Sequence, residues 1–200
     1  QPGLASAPPE HGEPKEEHPE LWNGDGSYKR YSYTETGVSP LAFPPQKGRV
    51  IKVNSYAHDG AGITAEDPKI TRDMSDKRQL KGESLAKDME GYETVKRFGN
   101  PNAKTALLCW GSNKGVCQEI AEKLDIKAVQ VLVLSPFPAE KLRDALKGTS
   151  KVIDVECNST AQLARLASFF GIKATDHILK YDGRPFSLDD LNRDLGRVLA

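Results

Sequence analysis

The residues with the most chemical promise are Gly24-Asp25-Gly26-Ser27, followed about thirty positions on by Asn54. A Gly-Asp-Gly turn with a downstream Asn can hold Mg²⁺ and a diphosphate when both side-chain oxygens converge on one cation. That geometry needs the Asp at the end of a buried strand. Here HPELWN precedes it, and Pro40, Pro44 and Pro45 break the interval, so the segment reads as a turn. A second candidate is Gly111-Ser112-Asn113-Lys114-Gly115, between an apolar strand and a helix. Free N–H groups at a helix start can hold an anion, and ligands of open α/β sheets sit at the carboxyl ends of strands. Gly111, Ser112, Asn113 and Gly115 are therefore candidate anion-site residues. Because Lys114 precedes Gly115 and no GK[ST] occurs, the segment is not a P-loop.

The remaining reactive residue types form no constellation. Cys109, Cys117 and Cys157 are odd in number, widely spaced and without a CxxC, which suits a reduced, cytoplasmic chain without a disulfide framework. Three thiols fall short of the four that iron–sulfur clusters usually take. Cys109 in a strand and Cys117 on a helix read as buried thiols, with Cys157 at a strand end. His11, His18, His58 and His177 show no metal-ligand spacing. His58-Asp59 falls in a Gly-rich loop, where a hydrogen-bonding role is expected. Tyr181-Asp182-Gly183-Arg184-Pro185-Phe186 reads as a turn with a structural Arg184. No catalytic or metal-binding residue emerges.

The elements that must position these residues begin with a polar segment. Residues 1–27, rich in Pro, Glu, Gly and His, read as a flexible or extended arm. Residues 28–67 mix aromatics with turns around a strand over Arg49–Tyr56 (RVIKVNSY). Residues 68–102 read as a connecting helix opened by Asp67-Pro68, plus a connection. From Lys104, strands (TALLCWGS, AVQVLVLSPF, KVIDVEC, HILKY) alternate with helices (GVCQEIAEKL, AEKLRDALKG, one capped by Ser159 or Thr160, SLDDLNRDLGRVL). Alternation with strands apolar on both faces implies a three-layer α/β/α sandwich with a mostly parallel sheet over residues 103–200.

Composition narrows the partners. Lys+Arg and Asp+Glu are 28 each, so no basic excess suggests a nucleic-acid partner. No apolar run approaches the roughly 18 residues of a membrane span. The chain opens on Gln1, which favours a fragment of a longer protein.

Several segments together resemble one family. SYKRYSYTETGVSPLAFP, HDGAGITAEDP, MSDKR, VIDVECNSTAQLARL and ILKYDGRPFSLDDL, in that order, are similar to the alpha subunit of 2-oxoacid:ferredoxin oxidoreductases. ALLCWGSNKGVCQEIAEKL through VIDVEC resembles the C-terminal domain of transketolases. The resemblance spans roughly Tyr28 to Leu191, and KYDGRPF favours the 2-oxoglutarate type. It implies oxidative decarboxylation of a 2-oxoacid to an acyl-CoA with ferredoxin reduction. Thiamine diphosphate, Mg²⁺ and an iron–sulfur cluster would be held elsewhere in the assembly, with a beta subunit and ferredoxin as partners. It also implies a mixed sheet with one antiparallel strand, and a pyrimidine-binding domain whose tail is residues 28–67. The chain would then be a non-catalytic C-terminal portion. The alternatives are an independent phosphate- or CoA-binding module at Gly111–Gly115, or a transketolase-like domain of another thiamine-diphosphate enzyme.

Overall fold

A computed structural model describes residues 19–24, 26–45 and 49–199. His11, His18, Asp25 and most of the 1–27 arm lie outside them. The chain divides into two compact units between Ser84 and Leu85.

The first unit is held together by side chains more than by ladders. Tyr28 is buried, donates its hydroxyl to Pro40 O (3.1 Å) and accepts Ala42 N–H (3.1 Å). Tyr31 Oη accepts Asn54 N–H (3.0 Å) and donates to Asn54 O (3.3 Å). The expected strand over Arg49–Tyr56 does not form: among the described residues no ladder includes it, and Val50 and Val53 are 81% and 70% exposed. β-branched composition marks a segment suited to pairing, but a strand needs a partner, and Asn54's backbone groups are given to Tyr31. Helix α1 (Pro68–Asp88) starts as expected, with Asp67 Oδ1 accepting Ile70 N–H at 2.9 Å and Pro68 as first helical residue. Gly37 (φ 72°) meets this helix so closely that a Cβ there would lie 2.6 Å from Lys81 N.

The second unit is a five-stranded sheet: β1 (Val95–Gly99), β2 (Thr105–Trp110), β3 (Lys127–Val131), β4 (Lys151–Glu156) and β5 (Asp176–Leu179), in spatial order β1-β3-β2-β4-β5. β1 runs antiparallel to β3, with Val95 opposite Val131 and Gly99 opposite Lys127; the other pairs are parallel. The mixed sheet agrees with the family resemblance. The reading of 68–102 as helix and connection missed β1, whose VKRFG sequence carries two cations. That is ordinary for an edge strand, where charge deters pairing with other chains. β3 stops at Val131, earlier than its apolar run, with Leu132 N–H making one more bond in the β1 register, to Thr94 O (2.9 Å).

Helices α2 (Lys114–Lys123) and α5 (Leu188–Leu199) pack on one sheet face, α3 (Ala139–Ala145) and α4 (Gln162–Phe169) on the other. One core joins Leu107, Cys109, Ile120, Ile153, Leu191 and Leu195; the other joins Leu108, Val129, Leu142, Leu163 and Ala167. This is the expected three-layer α/β/α sandwich. α5 starts where Ser187 Oγ accepts Asp190 N–H (3.1 Å), and its Leu191 and Leu195 seal the outer layer. Leu191→Ala should lower the unfolding free energy by about 2–5 kcal/mol. The same change at half-exposed Leu124 should cost about 1 kcal/mol or less, compared by urea titration.

Candidate functional site

The order β1-β3-β2-β4-β5 sends the chain from β2 toward β3 through α2, then back across to β4, so the loops after β2 and β4 part from each other. Such a switch point at the carboxyl ends of parallel strands leaves a crevice. Trp110, Gly111, Ser112, Asn113, Cys157, Asn158 and Gln162 line an opening of about 390 Å³ there. Gly111 (φ 57°) turns the chain through a short 3₁₀ segment, Gly111–Asn113, into α2. A Cβ on Gly111 or Gly115 would meet no atom within 4 Å.

Within the candidate Gly111–Gly115 segment, Asn113 is only 4% exposed and its side chain turns inward. Its Nδ2 donates to Val155 O (3.1 Å), and its Oδ1 accepts the thiol of Cys157 (3.1 Å). Ser112 and Cys157 also border a neighbouring hollow of about 440 Å³ with Lys180, Tyr181, Gly183, Arg184 and Pro185. Both cations there are spent on carboxylates. Lys180 reaches Asp190 (2.9 Å) and Asp182 (3.6 Å), and Arg184 pairs with Asp182 inside its own turn. The crevice therefore offers neutral amides, a hydroxyl, a thiol and an indole.

Glu156, at the end of β4, builds this crevice from beneath. It is fully buried, and four N–H groups converge on it. Oε1 accepts Leu163 N–H (2.8 Å) and Ala164 N–H (3.2 Å); Oε2 accepts Trp110 Nε1–H (3.0 Å) and Asn158 Nδ2–H (2.7 Å). Burial pushes its carboxyl up, but the donors from Leu163, Asn158, the neutral Asp154 carboxyl and Ala164 outweigh burial and hold it below the usual range. The expected Ser159 or Thr160 cap of α4 is thus replaced. Ala161 enters the helix in a left-handed conformation (φ 49°) without a side-chain cap, and Glu156 takes the first N–H groups. Asn158 Oδ1 accepts Thr160 N–H (3.0 Å), which sets the turn.

Two residues earlier on the same strand face lies Asp154, also fully buried. Burial and the adjacent Glu156 charge push its carboxyl up to about 9. Its Oδ2 lies 3.2 Å from His177 Nδ1 on β5, its Oδ1 meets no donor among the described residues, and in its neutral form the carboxyl hydrogen-bonds Glu156.

The other predicted positions stand apart. Cys109 and Cys117 are fully buried, and contact with Cys109, then burial, pushes the Cys117 thiol well up. His58 stacks on Tyr31 (centroids 3.9 Å), with Nδ1 2.9 Å from Asp59 O, and Asp59 Oδ1 accepts the N–H groups of Ala61 and Ile63 (2.9 Å each). In the Gly-Asp-Gly-Ser segment, the described Gly24 packs on Trp22 and its carbonyl accepts Arg49. Asn54 Nδ2 donates to Gly62 O (3.2 Å) and Thr64 Oγ1 (2.8 Å), and its Oδ1 accepts Tyr56 N–H (2.9 Å). An Asn so engaged does not fit a Mg²⁺–diphosphate site. Among the described residues no cluster of three or more His, Cys, Asp or Glu could hold a metal. Sequence reading missed Asp154, Glu156, His177 and Trp110 as site builders. Two acids at i and i+2 in an otherwise apolar strand were the available signal.

The fold and crevice define an α/β sandwich protein with a mixed sheet and an open polar site at its switch point. No family model matches the chain. It is 34% identical over 180 residues to the alpha subunit of 2-oxoacid:ferredoxin oxidoreductase 1 from Sulfurisphaera tokodaii, covering 88% of this chain and 28% of that protein. It is 32% identical over 177 residues to the Saccharolobus solfataricus alpha subunit, covering 86% and 28%. The chain is thus homologous to part of the alpha subunit of 2-oxoacid:ferredoxin oxidoreductases, and spans about 28% of the length of these relatives. A solved 2-oxoglutarate:ferredoxin oxidoreductase from Magnetococcus marinus, with 2-oxoglutarate, coenzyme A and succinyl-CoA bound, shares the fold. Its TM-score is 0.70 at 24% identity, over 90% of this chain and 32% of that one.

Asp154 gives a pH-dependent prediction. Its folded-state value lies above the ordinary 3.8, so the stability it confers is complete below that value and is lost as pH rises toward about 9. Asp154→Asn should therefore be more stable than the parent at pH 8, by an amount growing at most about 1.4 kcal/mol per pH unit. The advantage should vanish toward pH 4, as read by urea unfolding across pH.

Proposed function

We propose that this chain is a non-catalytic, C-terminal portion of the alpha subunit of a thiamine-diphosphate-dependent 2-oxoacid:ferredoxin oxidoreductase, supplying architecture and subunit contacts. The carrying observation is 34% identity to such a subunit over 88% of the chain. On this reading residues 103–200 are the transketolase C-terminal-like domain. Residues 68–102 are its lead-in, and residues 28–67 are the tail of a pyrimidine-binding domain. The larger enzyme oxidises a 2-oxoacid to an acyl-CoA and passes electrons to ferredoxin in the cytoplasm, with a beta subunit as immediate partner. KYDGRPF and the fold shared with the Magnetococcus enzyme favour 2-oxoglutarate as substrate.

Thiamine diphosphate would supply the carbanion chemistry when bound elsewhere in the assembly. Asn54 is engaged with Gly62, Thr64 and Tyr56, and the buried Cys109 and Cys117 sit in a packed core, so no step of that chemistry is assigned to this chain. What the chain's own residues do is hold surfaces. Tyr28, Tyr31, Asn54 and Asp59 fix the irregular first unit, and Glu156 fixes the crevice of the second.

The test is viologen reduction dependent on a 2-oxoacid and CoA. The purified chain alone should give none. Mixed with the remaining part of an alpha subunit and a beta subunit it should restore turnover, faster with 2-oxoglutarate than with pyruvate. Turnover by the chain alone, or none in the mixture, would overturn the proposal.

A further inference from the structure

Asp154, Glu156 and His177 are ionisable groups in contact, two of them fully buried, and the proposed function uses only Glu156. They connect solvent to the crevice in a short chain. His177 has a side chain 44% exposed on the edge strand β5, and its Nδ1 meets Asp154 Oδ2 at 3.2 Å. Asp154 and Glu156 are i and i+2 on β4, so their side chains rise from the same sheet face about 6.6 Å apart along the strand. Glu156 in turn holds Trp110 and Asn158, two walls of the crevice, and the first N–H groups of α4.

We infer that Asp154 and His177 are positioning residues of the carboxyl-edge crevice: the proton on Asp154, which His177 holds in place, sets how firmly Glu156 grips Trp110, Asn158 and the start of α4.

The argument is one of charge and space. Glu156 has four donors and is satisfied as an anion. Neutral Asp154 donates a hydrogen bond to Glu156; as an anion it would lose that bond and stand beside another anion, with His177 at its Oδ2 and no donor at its buried Oδ1 among the described residues. While Asp154 is neutral, the two carboxyls coexist. When it ionises, the repulsion is relieved by displacement of Glu156, which slackens its hold on the indole and on α4. The surroundings supply little competing charge. Besides Glu156 on β4 and His177 on β5, the thiol of Cys109 on β2 bears on Asp154. The one charged residue of α4, Arg165, is exposed. On α3, Glu140 pairs with Arg143, Lys141 donates to Glu90 O and Tyr92 O, and Asp144 is exposed. Burial places the change on the alkaline side of neutrality, as protons leave Asp154.

The experiment is an NMR titration of the full, ¹⁵N-labelled chain from about pH 6 to about pH 9.5. It follows the Trp110 indole N–H and the Leu163 and Ala164 amides, all donors to Glu156. In the parent these three resonances should move together with one midpoint. Asp154→Asn should abolish the shared movement, and His177→Gln should displace its midpoint by about half a pH unit or more. Three independent midpoints in the parent, or a shared titration that survives Asp154→Asn, overturns the inference. If Asp154→Asn does not fold, His177→Gln decides: an unchanged midpoint overturns it. A merely structural Asp154 would alter stability and leave these resonances without a common titration. The readout is also independent of any oxidoreductase activity, so its failure is distinct from failure of the family-level proposal.

Discussion

Four N–H groups from three segments of chain meet at the buried carboxylate of Glu156, and the second unit is organised around that meeting. An unpaired charge at such a depth costs several kcal/mol, so the acid is tolerable only because every neighbour donates to it. The constraint works in both directions. Trp110 must close over β4, Asn158 must turn back, and α4 must begin where its N–H groups reach Oε1. The left-handed Ala161 at the start of α4 follows from the same demand, because the helix is capped by a strand residue rather than by its own sequence.

The crevice inherits its character from this anchor. Its charged neighbours, Lys180 and Arg184, are neutralised by Asp182 and Asp190, and Asn113 is committed to Val155 and Cys157. What faces outward is polar but uncharged. The first unit follows a related logic with different means: tyrosine hydroxyls and the Asn54 and Asp59 side chains take backbone groups that a sheet would otherwise pair. Exposed Val50 and Val53 lie on the segment where a strand lacks a partner. This is compatible with a chain homologous to only part of a longer subunit.

The sandwich was legible because its signals are local. TALLCW, KVIDVE and the periodic helix between them state their structure in a few residues each. Strand β1 was hidden because VKRFG has the polarity of a loop and gains its partner from β3, 28 to 36 residues further along the chain. Arg49–Tyr56 misled for the opposite reason: its β-branched residues announce a strand, but pairing is a property of two segments and sequence shows one. The candidate segment Gly111–Gly115 was found from its position after an apolar strand. Its true support was not, since Glu156 acts on Trp110 forty-six residues away and on an α4 start that Ser159 and Thr160 are sequentially placed to cap.

The central claim is that the Glu156 carboxylate, as an acceptor of four hydrogen bonds, ties β2, β4 and α4 into one unit. Glu156→Gln tests it with almost no change of shape, because the amide can still accept at one end but presents N–H groups to the Trp110 indole or the α4 amides at the other. Equilibrium urea unfolding at neutral pH should show a loss of about 2–5 kcal/mol. A variant within about 0.5 kcal/mol of the parent would contradict the account.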